Sequence, residues 1–416
     1  MIRHLFLLSS IALAAPAAKS RDLFNGKDLT GWHGEGYAVE NGTIVCTPTG
    51  RNLITDETFS NYVLDFEFLL TPGANNGLGI HYPGAGDAAY VGMEVQIFDS
   101  TAEQYKDLKP YQFHGSLYTM VPAKQGALKP VGEWNQERIV VDGPAIRVEV
   151  NGQIVLRANL DTLNKEFPKH EGAKRRSGHL CFCGHGDRVA FKSIKIAELP
   201  PKADLEGVKA AGFIRIFDGQ ALSGWKPEKD GDSSWSASND ILKHDGASKT
   251  AGQLWTEKEY GDFTLVFDWR WSGTGPLMKR PVIGPDGNPK TGADGKPEMV
   301  EVQELDSGVY LRGNEKSQVN LWNWPIGSGE VYGYRTNASL PPEVRAGVTP
   351  KSKADKPLGE WNRTMITMKG DRLTVVLNHE KVIDNAQLPN VPAKGKLALQ
   401  HHGSSIDFAN LWIKEL

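Results

Sequence analysis

Cysteine is scarce. Only Cys46, Cys181 and Cys183 occur in 416 residues, so this is not a disulfide-stapled scaffold. Cys181 and Cys183 are two apart in a strand-like run and share a face. Pairing of one with Cys46, a metal site completed by His179 or His185, and buried free thiols that pack as small hydrophobes all fit that spacing. An excess of one charge is also missing: the formal net charge is −3. Without a basic patch, nucleic acid is not an expected partner. Long amphipathic helical patterns are few, and no apolar run is long enough to span a bilayer as a helix. Glycine (45), proline (24) and tryptophan (11) are plentiful. That balance belongs to a chain of short strands and many turns.

The first 18 residues read as a signal peptide. A polar start at Arg3 and His4 leads into an apolar run from Leu5 to Ala15, with Ala15-Pro16-Ala17 as a small-residue cleavage candidate. No cysteine follows it, which argues against a lipid anchor. The expected location is periplasmic or secreted.

The remainder repeats once. Leu23-Phe24-Asn25-Gly26 through Gly31-Trp32 returns as Ile216-Phe217-Asp218-Gly219 through Gly224-Trp225. Gly132-Glu133-Trp134-Asn135 returns as Gly359-Glu360-Trp361-Asn362. Both copies close with a paired strand pattern, Gly178 to Leu199 and Gly395 to Leu416. The expected organisation is a domain over 21–199, a linker over 200–212 opening with Pro200-Pro201, and a domain over 213–416. Within each copy, alternating β-formers such as Tyr62 to Leu69 and Phe263 to Arg270 are broken by Asn-Gly, Asp-Gly and Pro-Gly turns. Such a pattern predicts an all-β sandwich or barrel.

One stretch organises the first copy. Tyr90 to Ser100, Y-V-G-M-E-V-Q-I-F-D-S, alternates with period two and predicts a strand. Glu94, Gln96 and Phe98 face one way, and Val95, Ile97 and Asp99 the other. A carboxylate, an amide and a ring on one face suit a polar, sugar-sized groove; ordinary solvated polar residues of an antiparallel strand fit the pattern equally.

Taken with NNGLGIHY, GMEVQIFD, HGSLY, GEWN, the Asn-Gly hairpin and the closing strand pair, the chain resembles the 3-keto-disaccharide hydrolase family over nearly all of both copies. The resemblance implies two concanavalin A-like jelly-roll β-sandwiches, similar to LamG and glucanase domains, with a sugar site on the concave sheet. It also implies hydrolysis of glycosides oxidised to a ketone at carbon 3. Such a ketone acidifies the hydrogen on carbon 2, so the chemistry calls for a general base, a device to hold the enolate oxygen, and an acid or metal at the leaving oxygen. Calcium or manganese is a possible cofactor, although no ligand spacing demands either.

On those motifs Glu94 is the expected base and Gln96 the group that holds the ketone or a hydroxyl. His114 offers a proton, and His185 sits at a turn before the last strand. Asn76, His81, Tyr118 and Trp134 are the expected substrate contacts: an amide at the groove rim, a flanking imidazole, a hydrogen-bonding ring edge and a stacking platform. Each has a plainer role available, as turn cap, solvated strand residue or core anchor. In the second copy the carboxylate position is Gln318, which cannot act as a base. Arg312, Asn320, Tyr332 and His402 remain as sugar-contact types. Glu301-Val302-Gln303 resembles the key motif but precedes Asp306-Ser307-Gly308 rather than following it, so it is a decoy. The first domain is therefore expected to be catalytic. The alternative is a non-catalytic carbohydrate-binding protein with two lectin-like sandwiches. A retaining glucanase ranks lower, because Glu94 and Asp99 fall on opposite strand faces.

Overall fold

The computed structural model describes residues 20–201, 205–247 and 252–416. The expected leader at 1–18 lies outside them. Strands dominate, and they form two β-sandwiches of the concanavalin A-like jelly-roll kind. Among the described residues no helix is long and apolar enough to cross a membrane.

In the first sandwich one sheet runs Gln153–Asn159, Ala145–Val150, Trp134–Asp142, Tyr62–Leu70, Val189–Glu198, Thr43–Cys46, Tyr37–Glu40, with Arg21–Asp22 added against Val189–Glu198. The other sheet runs Trp32–Gly34, Asn52–Thr55, His179–Cys183, Asn75–Tyr82, Met93–Phe98. The pairings are antiparallel. Alternation explains the layers. In Tyr62–Leu70 every second residue is buried, and the buried set meets the inward set of the five-stranded sheet. Phe182 stacks on Phe191 with ring centroids 3.9 Å apart and on Trp32 at 5.6 Å. Burying a ring of this size is worth roughly 2–3 kcal/mol.

The second sandwich repeats both sheets strand for strand, with Phe267, Trp269 and Phe408 in its core. It adds a two-stranded hairpin, Leu277–Pro281 with Met299–Gln303. Glu301 lies exposed on that hairpin, so the decoy motif is not part of the main sheet. All three cysteines are buried free thiols; the sulfurs of Cys181 and Cys183 are 3.9 Å apart.

Arg270 is one of the residues through which the halves meet. This buried guanidinium of the second sandwich reaches Asp407 at 2.8 Å in its own half, and Glu198 and the Ser60 hydroxyl in the first. Glu198 also accepts from Lys243 at 2.7 Å.

Candidate active site

The key strand is shorter than the sequence pattern suggests: it runs Met93–Phe98. Tyr90 belongs instead to a one-turn helix, Ala88–Val91, capped by the Asp87 carboxylate, which accepts from the Ala89 amide at 3.0 Å. The strand's parity is as expected. Val95 and Ile97 point into the core, while Glu94, Gln96 and Phe98 line a groove of about 370 Å³. Asp99 ends the strand by accepting from the Gly73 and Thr101 amides.

Met93–Phe98 is the last strand of its sheet, yet its outer edge is covered. Gly115 donates to the Gln96 carbonyl, Gln96 donates to Ser116, and Tyr118 donates to the Glu94 carbonyl. This short pairing sets Tyr118 beside Glu94 in the groove wall. Tyr90, half exposed, meets the Tyr118 ring edge-on at 6.4 Å.

Glu94 is only 5% exposed, and its Oε1 has no hydrogen-bond partner. Burial first, and the nearby Asp87 charge second, push its carboxyl up to about 8. The neighbouring strand makes room for it. A Cβ added at Gly77 would lie 1.9 Å from Glu94 Oε1, so the side chain lies across the space a residue there would fill. At Gly79 an added Cβ would meet Ala88 and Cys181 at 3.1 and 3.3 Å. The glycines thus seat the carboxylate and its surroundings rather than leaving an open floor for a ligand.

His185 is exposed and lines the groove from the turn after His179–Cys183. Asp187 ties that turn to the groove strand by accepting from the Asn75 amide at 3.0 Å. Glu94, Gln96, Tyr118 and His185 are therefore brought together.

Four expected site residues lie elsewhere. His114 is buried between the sheets: it accepts from the Phe98 amide at 3.3 Å, lies 5.1 Å from the Phe68 ring, and comes within 3.9 Å of Glu137. Burial drives His114 down to about 3 and pushes Glu137 well up, so both are neutral inside the fold. Trp134 is on the other sheet, where it shares the outer face with Gln136 and Arg138 and stacks under the Lys192 ammonium at 4.0 Å. Asn76 faces inward and donates to the Tyr37 hydroxyl at 3.2 Å; its neighbour Asn75 lines the groove. His81 adopts φ 53°, which breaks the strand alternation and sends its ring into a buried site, where desolvation lowers it to about 4.

The second half corrects two more. Arg312, also at φ 53°, is a backbone clamp: it donates to the carbonyls of Gly261, Gly370 and Pro392 and pairs with Asp262 at 2.9 Å. Asn320 spends its amide on the Glu330 carbonyl. Tyr332 remains 45% exposed, edge-on to Trp322 and Trp324. His402 is exposed and lies 3.4 Å from Asp306.

Sequence reasoning missed Asn75, Asp87, Tyr105 and Gln112 as groove residues. Asp87 carried a readable signal, an N-cap aspartate before Ala88-Ala89. For Tyr105 and Gln112 the strand pattern offered none, since both arrive on single 3-10 turns, Glu103–Tyr105 and Pro110–Gln112. No group of three His, Cys, Asp or Glu side chains is placed to hold a metal ion among the described residues. Among the described residues, the side chains do not fit a calcium or manganese ion.

A family model described as a 3-keto-alpha-glucoside-1,2-lyase-like domain matches residues 19–197 and again 212–414. A 3-keto-disaccharide hydrolase of Bacteroides thetaiotaomicron is 25% identical over 249 residues, covering 46% of this chain and 82% of that one. A solved structure of a candidate glycosyl hydrolase from Parabacteroides distasonis is 26% identical, with a TM-score of 0.40, across 44% of this chain and all of that one. A second from the same organism is 24% identical with a TM-score of 0.38, covering 44% of this chain and 94% of that one.

Proposed function

The chain belongs to the 3-keto-alpha-glucoside-1,2-lyase-like family through both of its halves, and from that premise we propose that the groove of the first half cleaves 3-keto glycosides, 3-keto-disaccharides among them, in an exported protein. The observation that supports this reading best is Glu94: a buried carboxylate with an unpartnered oxygen, facing a groove of sugar size, with its proton affinity raised toward neutrality.

The chemistry runs in two stages. The Glu94 carboxylate takes the proton from carbon 2, and the electron pair moves onto the ketone oxygen at carbon 3, which the Gln96 amide holds as an enolate. That pair then returns, the bond from carbon 1 to the glycosidic oxygen breaks, and the leaving oxygen takes a proton from Tyr118 or His185. Water adds across the resulting double bond: its hydroxide goes to carbon 1, its remaining proton restores Tyr118 or His185, and Glu94 returns its proton to carbon 2. The sum is one water consumed and two sugars released. A carboxylate with a high proton affinity is the stronger base for a carbon acid, and a positioned base contributes about 10²–10⁴-fold.

The deciding experiment incubates the protein with 3-keto and unoxidised forms of the same disaccharides. Product is expected only from the 3-keto forms. Cleavage of the unoxidised forms would point to ordinary glycoside hydrolysis, and binding without product would point to a lectin. Activity is expected to survive dialysis against a chelator; its loss, with recovery on adding calcium or manganese, would show a metal site that the described side chains do not assemble.

The pH profile is a second test. Glu94 must be ionised to act as a base and titrates near 8. The logarithm of kcat/KM for a 3-keto-disaccharide is expected to rise with unit slope up to about pH 8 and then level off. A profile flat from pH 5.5 to 9 would remove Glu94 as the base. Trp134→Ala provides a third: KM is expected to stay within about twofold of the parent, because that ring lies on the opposite sheet. A tenfold rise would return Trp134 to the substrate.

A further inference from the structure

The second half carries its own site on the matching face. Strand register identifies the equivalent positions. Gly77 pairs with Gln96 and Gly79 with Glu94; Gly308 pairs with Asn320 and Tyr310 with Gln318. An added Cβ at Gly308 would lie 2.2 Å from Gln318 Nε2, just as one at Gly77 would lie 1.9 Å from Glu94 Oε1. Gln318 therefore lies where the carboxylate lies, as an amide. It donates to the Gln400 side chain, and Gln400 follows Ala398 and Leu399 as Cys183 follows Cys181 and Phe182.

The surroundings have changed in a consistent direction. Ile54 pairs with Cys181 in the first half, and Trp255 pairs with Ala398 in the second. Trp255 is half-buried and stacks near-parallel with Tyr310, at 29° and 6.0 Å between centroids. An isoleucine and a glycine have become an aromatic platform. At the start of Tyr310's strand, Asp306 holds a buried Oδ1 that has no hydrogen-bond partner, while its Oδ2 lies 3.4 Å from His402 Nδ1.

We propose that this face of the second sandwich, built from Trp255, Tyr310, Gln318, Gln400, Asp306 and His402, is a non-catalytic binding site for a neutral glycan. The chemistry of each group supports that ligand class. A flat ring pair accepts the apolar face of a pyranose. Two side-chain amides offer both donors and acceptors to hydroxyls. A buried oxygen without a donor costs free energy until a hydroxyl supplies one. The position that holds the base in the first half holds an amide here, so the site lacks the group that would take a proton from carbon 2.

The test uses the full chain carrying Glu94→Gln, run through native affinity gels containing β-glucan, α-glucan, xylan or mannan, none of them oxidised. Retardation on at least one polymer is expected. Adding Trp255→Ala is expected to weaken that retention by about tenfold or more, as loss of an aromatic anchor does, and Asp306→Asn is expected to weaken it too. Thermal melts of each variant identify any that fail to fold. For a destabilised Trp255→Ala, Trp255→Phe is expected to restore folding and part of the binding. Retention on none of the four polymers, or undiminished retention by well-folded Trp255→Ala, would overturn the proposal. Release of 3-keto-disaccharide product by the Glu94→Gln chain would instead overturn the reading of the first half, so the two failures are separate readings.

Discussion

Glu94→Gln is expected to reduce the kcat for 3-keto-disaccharide cleavage by at least about 10²–10⁴-fold, the contribution of a positioned general base. The substitution preserves shape: Oε1 already lies unpartnered over Gly77, and an amide fits the same space, as Gln318 does over Gly308. KM should therefore change little while kcat falls. The same substitution is expected to raise thermal stability. The Glu94 carboxyl titrates near 4.5 in the unfolded chain and near 8 in the fold. A raised value means the native state keeps a proton that the unfolded state releases. The associated stability is fully present below about pH 4.5 and is lost as pH rises through 8. Glutamine has no such proton to lose, so above pH 8 the variant should be more stable than the parent by a few kcal/mol at most. At pH 4 the two should melt together. Melting curves at both pH values, with single-turnover rates, check the pair of effects. Near-parental turnover, or equal melting at pH 9, would sink the assignment. A base kept buried and short of a partner is a stability cost retained for function.

Arg270→Met is expected to destabilise the protein by about 3–5 kcal/mol, because it leaves buried Asp407 without its cation and strips the buried Glu198 of one of its cations. Arg270 is 3% exposed, Asp407 2% and Glu198 8%. Burial alone would raise Glu198, but Arg270, Lys243 and Arg21 together outweigh it and bring the carboxyl down to about 2. A depressed carboxyl contributes stability that is present above its unfolded value near 4.5 and lost as pH falls toward 2. Without Arg270, Glu198 keeps only Lys243 at 2.7 Å and Arg21 at 3.8 Å. The loss should be greatest at neutral pH and shrink in acid. Adding Glu198→Gln to Arg270→Met should recover part of it, since one under-compensated buried charge is then gone. Denaturant melts of the two single variants and the double variant measure this coupling. An Arg270→Met protein as stable as the parent would show that the halves are joined by something other than this cluster.

Some of this was legible from residues alone. Period-two alternation placed Val95 and Ile97 in the core and Glu94 and Gln96 outside it, because successive side chains of a strand must point to opposite faces. The repeat supplied the two sandwiches, and the exchange of Glu94 for Gln318 was readable from the aligned copies. Alternation has limits that are physical. It sorts a strand's residues into two faces without saying which sheet the strand joins, so Trp134 could be read as a groove platform although it stands on the far sheet. A single residue at positive φ inverts the alternation, and His81 and Arg312 are such residues. His114 arrives on a loop, where no period applies, and the packing of Phe68 and Glu137 draws it inward.

The chain's own residues therefore determined the β architecture, through period-two alternation, the duplication, through motifs that return in the second half, and the shared face of Glu94 and Gln96, through that same alternation. Only the tertiary structure decided which imidazoles, rings and amides share that groove. Their meeting depends on sheet membership, on loop paths and on backbone reversals, which are set by contacts between residues far apart in the chain.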